Sequence, residues 1–507
     1  MAPAARDARI ARMRAEEDAL VQTDARWEEL QRDELDTKST LAAVQAKLDA
    51  ITAEMRTVRA RQRTLRSSLD SMRLQHQREL WTNVIPLEVL QLVFEECTIS
   101  STEIVTEFGQ ERGAYDEAAA PFAIATTCSR WRKIALVTPR LWTYMVLAPK
   151  SDGQVDFDAL RERADAILVR SKNLSLDVLL SFSSLQPDRT DVWTLIVAIT
   201  TQAVRMRSFE LWLPSGLLRA EAGAFDPFKA PTPALERLCM VGDVSLEPED
   251  PPDDGSDWGA YFMHAPKLIW IEFQLARMSC PPGHRFEALQ TLMLWRTYPD
   301  VHTQRMVAAA SFTLQRLVVS GDWGLVAIQQ PLSLPVLTVL GVYEILPMLH
   351  HCIVAPRVHS IELSASVVVP EMAPFLDHFA DRIKTLTLRR SEISPDCLGI
   401  LQTLRNVETL ICQNGDDTPH WDAIFGELAE SPTIWPNLRS IRILKQTGTK
   451  LRDGFLNLVR ARSTVASEDT DNGSQPAKLV EVDIADSGAP AWLRASVQHL
   501  LQKSSQE

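Results

Sequence analysis

Residues 349–352 read "LHHC", and His350, His351 and Cys352 carry the imidazole and thiol donors that bind zinc-type ions. A tetrahedral ion needs donors on all sides. Three adjacent residues cannot surround it, and no second His/Cys cluster lies at a matching spacing, so a structural or surface role is expected here and no metal site. The seven cysteines (97, 128, 239, 280, 352, 397 and 412) are scattered and contain no CxxC pair, the pattern of reduced, partly buried thiols inside a cell. No GxxxxGK[ST] phosphate loop, HExxH helix or GxSxG elbow occurs. Carboxylate pairs abound among 66 acidic residues and single out no general acid and base. The expectation is a chain without catalysis of its own and without a cofactor.

The arginine run "RTVRARQRTLR" (56–66) could meet a polyanion, yet its arginines fall on outward helical positions, and a solvated helix face explains them more simply. The formal net charge of −13 also argues against nucleic acid as the main partner. At 507 residues the chain exceeds one compact core, so several units or a repeat array are expected. A 45% hydrophobic, 23% charged composition is that of an ordinary soluble protein. No apolar run approaches the roughly 18 to 20 residues of a membrane span. The first twenty residues have no apolar core of signal-peptide length. Cytoplasmic and/or nuclear residence is the expectation.

From Ala4 to Ile85 there is neither proline nor glycine, which permits one long helix over residues 1–80. Counted in sevens from Met13, the a and d positions between Leu41 and Met72 are apolar except Gln62, the signature of a left-handed coiled coil. Before Leu41 the seam weakens at Glu34 and Thr37. In a parallel pair Asp33 meets Lys38 and Glu54 meets Arg59, both attractive, whereas Arg61 meets Arg66. Self-association is one reading; packing of the seam on this chain's own domains is the other.

Next comes a proline-opened apolar helix, "IPLEVLQLVF" (85–94), with Leu87, Leu90, Val93 and Phe94 at helical spacing. A polar stretch follows, then a second helical face through Phe122, Ile124, Cys128, Trp131, Ile134 and Ala135, ended by Pro139, with Leu141 and Trp142 just beyond. At these residues the segment 81–147 resembles an F-box. The opening Leu-Pro-x-Glu and Ile/Leu-Leu-x-x-Ile-Phe pattern is matched by Ile85, Pro86, Glu88, Val89, Leu90, Val93 and Phe94. The Cys-Lys/Arg-x-Trp-Arg-x-Ile-Ala half is matched by Cys128, Trp131, Arg132, Ile134 and Ala135, and the trailing Pro-x-Leu-Trp by Pro139, Leu141 and Trp142. Ile85 replaces the usual leucine and Ser129 stands where a basic residue is common. The resemblance implies a three-helix module that binds a Skp-type adaptor, and through it a cullin–RING ubiquitin ligase. Ile85, Pro86, Leu87, Leu90, Val93, Phe94, Cys128, Trp131, Leu141 and Trp142 are its expected adaptor-binding residues. An ordinary three-helix module is the plainer reading of the same pattern.

Past residue 170 a motif of three apolar residues recurs, as in Leu235/Leu238/Met240, Leu268/Ile271/Phe273 and Leu289/Leu292/Leu294. It continues to Leu479/Val482/Ile484, and from Leu268 to Val407 the first members lie 21 to 25 residues apart. Each unit predicts one short strand of a parallel sheet, and "SLDVLL" and "FELWLP" read as two earlier strands. This tail, 148–495, resembles an irregular leucine-rich-repeat domain and is followed by a tail at 496–507. The family's asparagine after each strand is missing, with Asp243, Ser366 and Ser391 among its replacements. Stretches 247–258 and 463–475 read as exposed polar loops. The expected fold is thus a mainly α N-terminal part, coiled-coil helix plus three-helix F-box, followed by an α/β leucine-rich-repeat solenoid; a general α/β protein is the alternative. With the apolar pair of each strand facing the core, Trp270, Glu272, Trp295, Tyr343, Glu362, Arg389 and Arg442 are expected on the open concave face, as anchors for a protein to be ubiquitinated. Together these resemblances imply the substrate receptor of a Skp–cullin–F-box ligase. The other reading is a repeat scaffold acting outside ubiquitination.

Overall fold

The structure, a computed structural model, describes residues 3–98, 111–148, 156–182, 190–213, 224–242, 261–262, 264–274, 280–296, 301–320, 331–343, 349–364, 370–389, 395–413, 421–431, 433–444, 451–463, 476–484 and 489–506. Contacts divide the chain into two compact units, Met1–Leu90 and Gln91–Glu507. The first is dominated by one helix, α1 (Pro3–Val84). Its only proline sits in the first turn, where the missing N–H costs nothing. At 1.5 Å per residue it is about 120 Å long. Ion pairs one turn apart, Arg12–Glu16 at 3.1 Å and Lys38–Glu34 at 2.6 Å, support its exposed surface.

Helix α2 (Leu87–Glu96) opens behind Pro86, whose carbonyl accepts from Leu90 N at 3.1 Å. Helices α3 (Glu111–Thr127) and α4 (Ser129–Val137) follow. The single helical face expected through Phe122–Ala135 is split at Cys128. Thr126 and Thr127 turn their hydroxyls back onto the Ala123 carbonyl, both at 2.9 Å, and Cys128 becomes extended, at φ −157° and ψ 168°. Its sulfur then caps α4 by accepting from Trp131 N at 3.4 Å. Most of the polar stretch between α2 and α3 lies outside the described residues.

The rest of the second unit is a parallel sheet with helices. Its strands are β1 (Tyr144–Leu147), β2 (Leu176–Ser181), β3 (Met206–Trp212), β4 (Arg237–Val241), β5 (Trp270–Gln274), β6 (Thr291–Trp295) and β7 (Arg316–Val319). There follow β8 (Leu332–Ser333), β9 (Val339–Val342), β10 (Ile353–Val354), β11 (Ser360–Ser364), β12 (Thr385–Arg389), β13 (Thr409–Gln413), β14 (Ser440–Leu444) and β15 (Glu481–Asp483). Thirteen of them form one sheet in sequence order; β8 and β10 pair separately. Every pairing is parallel, and the apolar triplets read from the sequence land on β4 to β7, β9 and β11 to β15. "SLDVLL" and "FELWLP" are β2 and β3. Strand β1, next to the helical module, carries no such triplet and was not expected.

The order follows from a repeated local device. Before each strand of the main sheet from β5 onward one carbonyl accepts two successive N–H groups of the next unit: Gln290 O from Gln315 and Arg316, His359 O from Lys384 and Thr385, and Glu408 O from Arg439 and Ser440. A tight turn precedes several of the first apolar residues, for example Leu268 N to Ala265 O at 3.1 Å and Leu438 N to Trp435 O at 3.0 Å. The expected asparagine positions Asp243, Ser366 and Ser391 and the expected loop 247–258 lie outside the described residues, as does 464–475 of the second loop. Side chains of successive units stack behind the sheet, with Leu238, Ile271, Leu292, Leu317, Leu340, Ile361, Leu386, Leu410 and Ile441 in one fully buried row. Connecting helices cover that side, including α5 (Phe157–Arg170), α6 (Thr190–Thr200), α7 (Val301–Ala309), α8 (Leu349–Cys352), α9 (Ala373–Phe379), α10 (Pro395–Leu401), α11 (Trp421–Glu430) and α12 (Asp453–Ser463). The final helix, α13 (Ala491–Gln506), runs through the last described residues.

Candidate functional site

Two surfaces carry the residues singled out by the sequence. On the helical module, Leu90, Phe94, Leu141 and Trp142 are no more than 2% exposed, so these four belong to the protein's own core and not to a docking face. Phe94 meets the Trp131 ring at 4.9 Å, edge to face. Trp142 donates from Nε1 to the Ala135 carbonyl at 2.8 Å, meets Phe122 edge-on at 5.1 Å and lies under the Arg170 guanidinium at 4.3 Å. A module this small has little interior, and its largest side chains are needed there. Ile85, Cys128 and Trp131 are half-buried, whereas Pro86, Leu87 and Val93 are exposed.

Helix α2 also exposes Val89 and Leu92, and α4 exposes Leu136 and Val137. At 3.6 residues per turn, Leu92 projects from the side of α2 opposite Leu90 and Phe94, with Val89 and Val93 on the flank between them. A helix apolar on both sides is expected to be covered on both. Helical spacing from Leu87 singles out one apolar stripe and leaves out Leu92, although α2 carries apolar residues on a second side; Leu136 and Val137 lie on α4 beyond its motif residues. The available signal was the near absence of polar residues at either stripe of "LEVLQLVF".

The second surface is the side of the sheet opposite the core. Strand alternation brings there, in register from β3 to β7, the row Glu210, Cys239, Glu272, Met293 and Val318, continued by Gly341, Glu362, Thr387, Ile411 and Arg442. All seven expected anchors lie on or beside this side, but Glu272, Trp295 and Glu362 are 6%, 8% and 7% exposed, not open as expected. The cause is lateral packing between strands. Trp295 Nε1 donates to Glu272 Oε1 at 2.8 Å, and the Trp295 ring meets Tyr343 edge-on at 4.3 Å. Met293 and Val318 complete the cluster, with Trp270 and Tyr343 against it. Gly341 belongs to it by omission: a Cβ there would lie 2.9 Å from Val318 Cγ2.

Further along, Arg316 Nη2 donates to Glu362 Oε2 at 2.8 Å, with Arg389 Nε at 3.7 Å from the same oxygen. Trp270, Tyr343 and Arg389 are half-buried; Arg442 is exposed and paired with Glu481 at 2.9 Å. At the other end Arg207 holds Asp177 by two contacts, one of them Nε to Oδ1 at 2.9 Å. Ala118 of α3 packs there with Val146 and Leu179, so the module closes the β1 end of this surface. Burial pushes the Glu210 carboxyl up to about 7, with Glu272 and Asp177 adding to the rise and Arg237 opposing it. Glu272 is raised by burial and held back by the Trp295 hydrogen bond. Between them the Cys239 thiol is raised well above its ordinary value, first by burial and then by both carboxylates. A buried thiol so protonated is a poor nucleophile.

In "LHHC" His351 is exposed and Cys352 half-buried, and the His350 side chain lies outside the described residues. Among the described residues no group of three or more His, Cys, Asp or Glu side chains could hold a metal ion, and no helix is long and apolar enough to cross a membrane. On the sheet Cys239 stands between Glu210 and Glu272 but is buried and held protonated, and both surfaces offer apolar and charged groups of the kind found at protein interfaces. No protein-family model matches this chain, and no curated protein sequence matches it.

Proposed function

We propose that the protein is the substrate-recognition subunit of a Skp–cullin–F-box ubiquitin ligase. Residues 81–147 would bind the Skp-type adaptor, and the strand-bearing region, read as an irregular leucine-rich-repeat solenoid, would bind the protein to be ubiquitinated. The observation that carries this reading is the exposed part of α2, where Leu92 stands opposite the buried Leu90 and Phe94 and Val89 and Val93 are exposed on its flank. The motif match across three successive pieces names the partner class. The chain contributes binding surfaces, and the ligation chemistry belongs to other subunits. On the sheet, Trp270, Tyr343, Arg389 and Arg442 are the reachable anchors; Glu272, Trp295 and Glu362 support the first three, and Glu481 pairs with Arg442.

Co-expression with the adaptor tests this. Wild type is expected to co-purify with it at one-to-one stoichiometry, and Leu92→Asp with Val93→Asp to lose it at unchanged melting temperature. An aromatic or leucine anchor at an interface centre is worth about 2 kcal/mol or more. Undiminished co-purification of that variant would remove α2 from the interface. Failure of wild type to bind any Skp-type adaptor would favour a repeat scaffold outside ubiquitination.

A further inference from the structure

Every apolar a and d side chain of α1 from Leu41 to Met72 is 44–70% exposed, and only Gln62 interrupts the stripe. An uncovered apolar stripe of this length is a partner site, and its 3.5-residue spacing matches another helix in a left-handed supercoil. We infer that the seam binds further copies of this chain, parallel and in register, in a bundle of three or four helices. This stands apart from the adaptor reading.

Gln62 sets the direction. In a parallel bundle the Gln62 amides share one layer, where each offers donors and an acceptor to the others. Reversing one helix sets every a position against a d position. The d positions of the seam are Val44, Ile51, Val58, Leu65 and Met72, so each reversed register within it buries the amide without a partner; reversal about the seam's centre sets Gln62 against Ile51. The flanking charges weigh less. Parallel alignment sets Glu54 against Arg59 and Arg61 against Arg66 of the neighbouring helix, one attractive and one opposed; reversal sets Glu54 against Arg61. Pairs at such solvent-exposed flanks contribute less than burying an unpaired amide costs.

Side-chain shape sets the number. Leu41 and Leu48 occupy a positions while Val44, Ile51 and Val58 occupy d positions. Leucine at a with β-branched residues at d shifts coils from two strands to three or four. One bundle then carries three or four copies of the strand-bearing unit and binds a multivalent partner by avidity.

Light scattering on the full-length protein should give the mass of three or four chains. Leu48→Asp with Ile51→Asp should give that of one, with the near-ultraviolet circular dichroism of the strand-bearing unit unchanged. For direction, a Leu48→Cys, Leu65→Cys chain is oxidised with glutathione disulfide and its cross-linked peptides identified by mass spectrometry. Links 48 to 48 and 65 to 65 are expected. Positions 48 and 65 lie about 25 Å apart along one helix, so a 48-to-65 link must join two chains. A wild-type mass of one or two chains, or predominance of that mixed link, would overturn the inference.

Discussion

Glu210 shows how one residue can set a pH dependence. Its carboxyl titrates near 7 in the folded chain against an ordinary 4.5, so the folded state keeps a proton that the unfolded chain releases between those values. The contribution of this group to stability is therefore fully present below about pH 4.5 and is lost as pH rises through about 7, by up to about 3 kcal/mol. Glu210→Gln should match wild type near pH 4 and exceed it at pH 8 in urea-unfolding midpoints; equal midpoints at both would mean the carboxyl is not held protonated. Its neighbour Trp295 carries a different load. At 8% exposure and bonded to Glu272, its loss leaves a cavity and removes one hydrogen bond from the buried Glu272 carboxyl. Trp295→Ala should cost about 3 kcal/mol of unfolding free energy, and Trp295→Phe clearly less. An unchanged melting temperature for Trp295→Ala would return the ring to the open surface.

At the scale of elements, the approach of α12 to α11 depends on two residues. Asp422, near the start of α11, accepts from Arg452 N at 2.8 Å and from Gly454 N and Phe455 N at 3.1 Å, so its carboxylate sits on the N-terminal end of α12. Gly454 permits this closeness, since a Cβ there would lie 1.9 Å from the Asp422 carbonyl oxygen. Gly454→Ala should destabilise the protein by about 1–3 kcal/mol through overpacking, and Asp422→Ala by about 1–2 kcal/mol through loss of the cap. Chemical denaturation measures both, and a Gly454→Ala variant as stable as wild type would show that the helices can part without cost. Arg462 plays a related part in the next turn. It is buried, donates to the Ile434 carbonyl at 2.8 Å and the Trp435 carbonyl at 3.3 Å, and secures a turn in which Trp435 adopts φ +49°.

For the whole molecule, the two units are stabilised by different means. The strand-bearing unit has a continuous buried core, whereas α1 exposes its apolar seam and, on the self-association proposed above, would take its tertiary stabilisation from other chains. Heating should give two transitions. The loss of α1 helicity at 222 nm should move to higher temperature as protein concentration rises, by mass action, while the near-ultraviolet transition of the strand-bearing unit stays put. One transition independent of concentration would contradict this.

Local pattern alone determined the long helix and most of the sheet. Freedom from proline and glycine between Ala4 and Ile85 is a property of the chain, and so is an apolar triplet returning every 21 to 25 residues. The first permits a long helix and the second has the period of a strand-bearing unit, and both are local properties. Strand alternation likewise placed Trp270, Glu272, Trp295 and Glu362 on the side of the sheet away from the core. Tertiary structure decided which of them water can reach. Glu272 is covered because Trp295, on the adjacent strand and diagonal to it in register, lies across it, and Glu362 because Arg316 and Arg389 converge on it from β7 and β12. The same holds at α2, where Leu90 and Phe94 are spacing partners of Leu87 and Val93 in sequence, yet only packing assigned the first pair to the core. Periodicity reports which side of an element a residue occupies. How far that side is filled depends on neighbours that are close in space and distant along the chain.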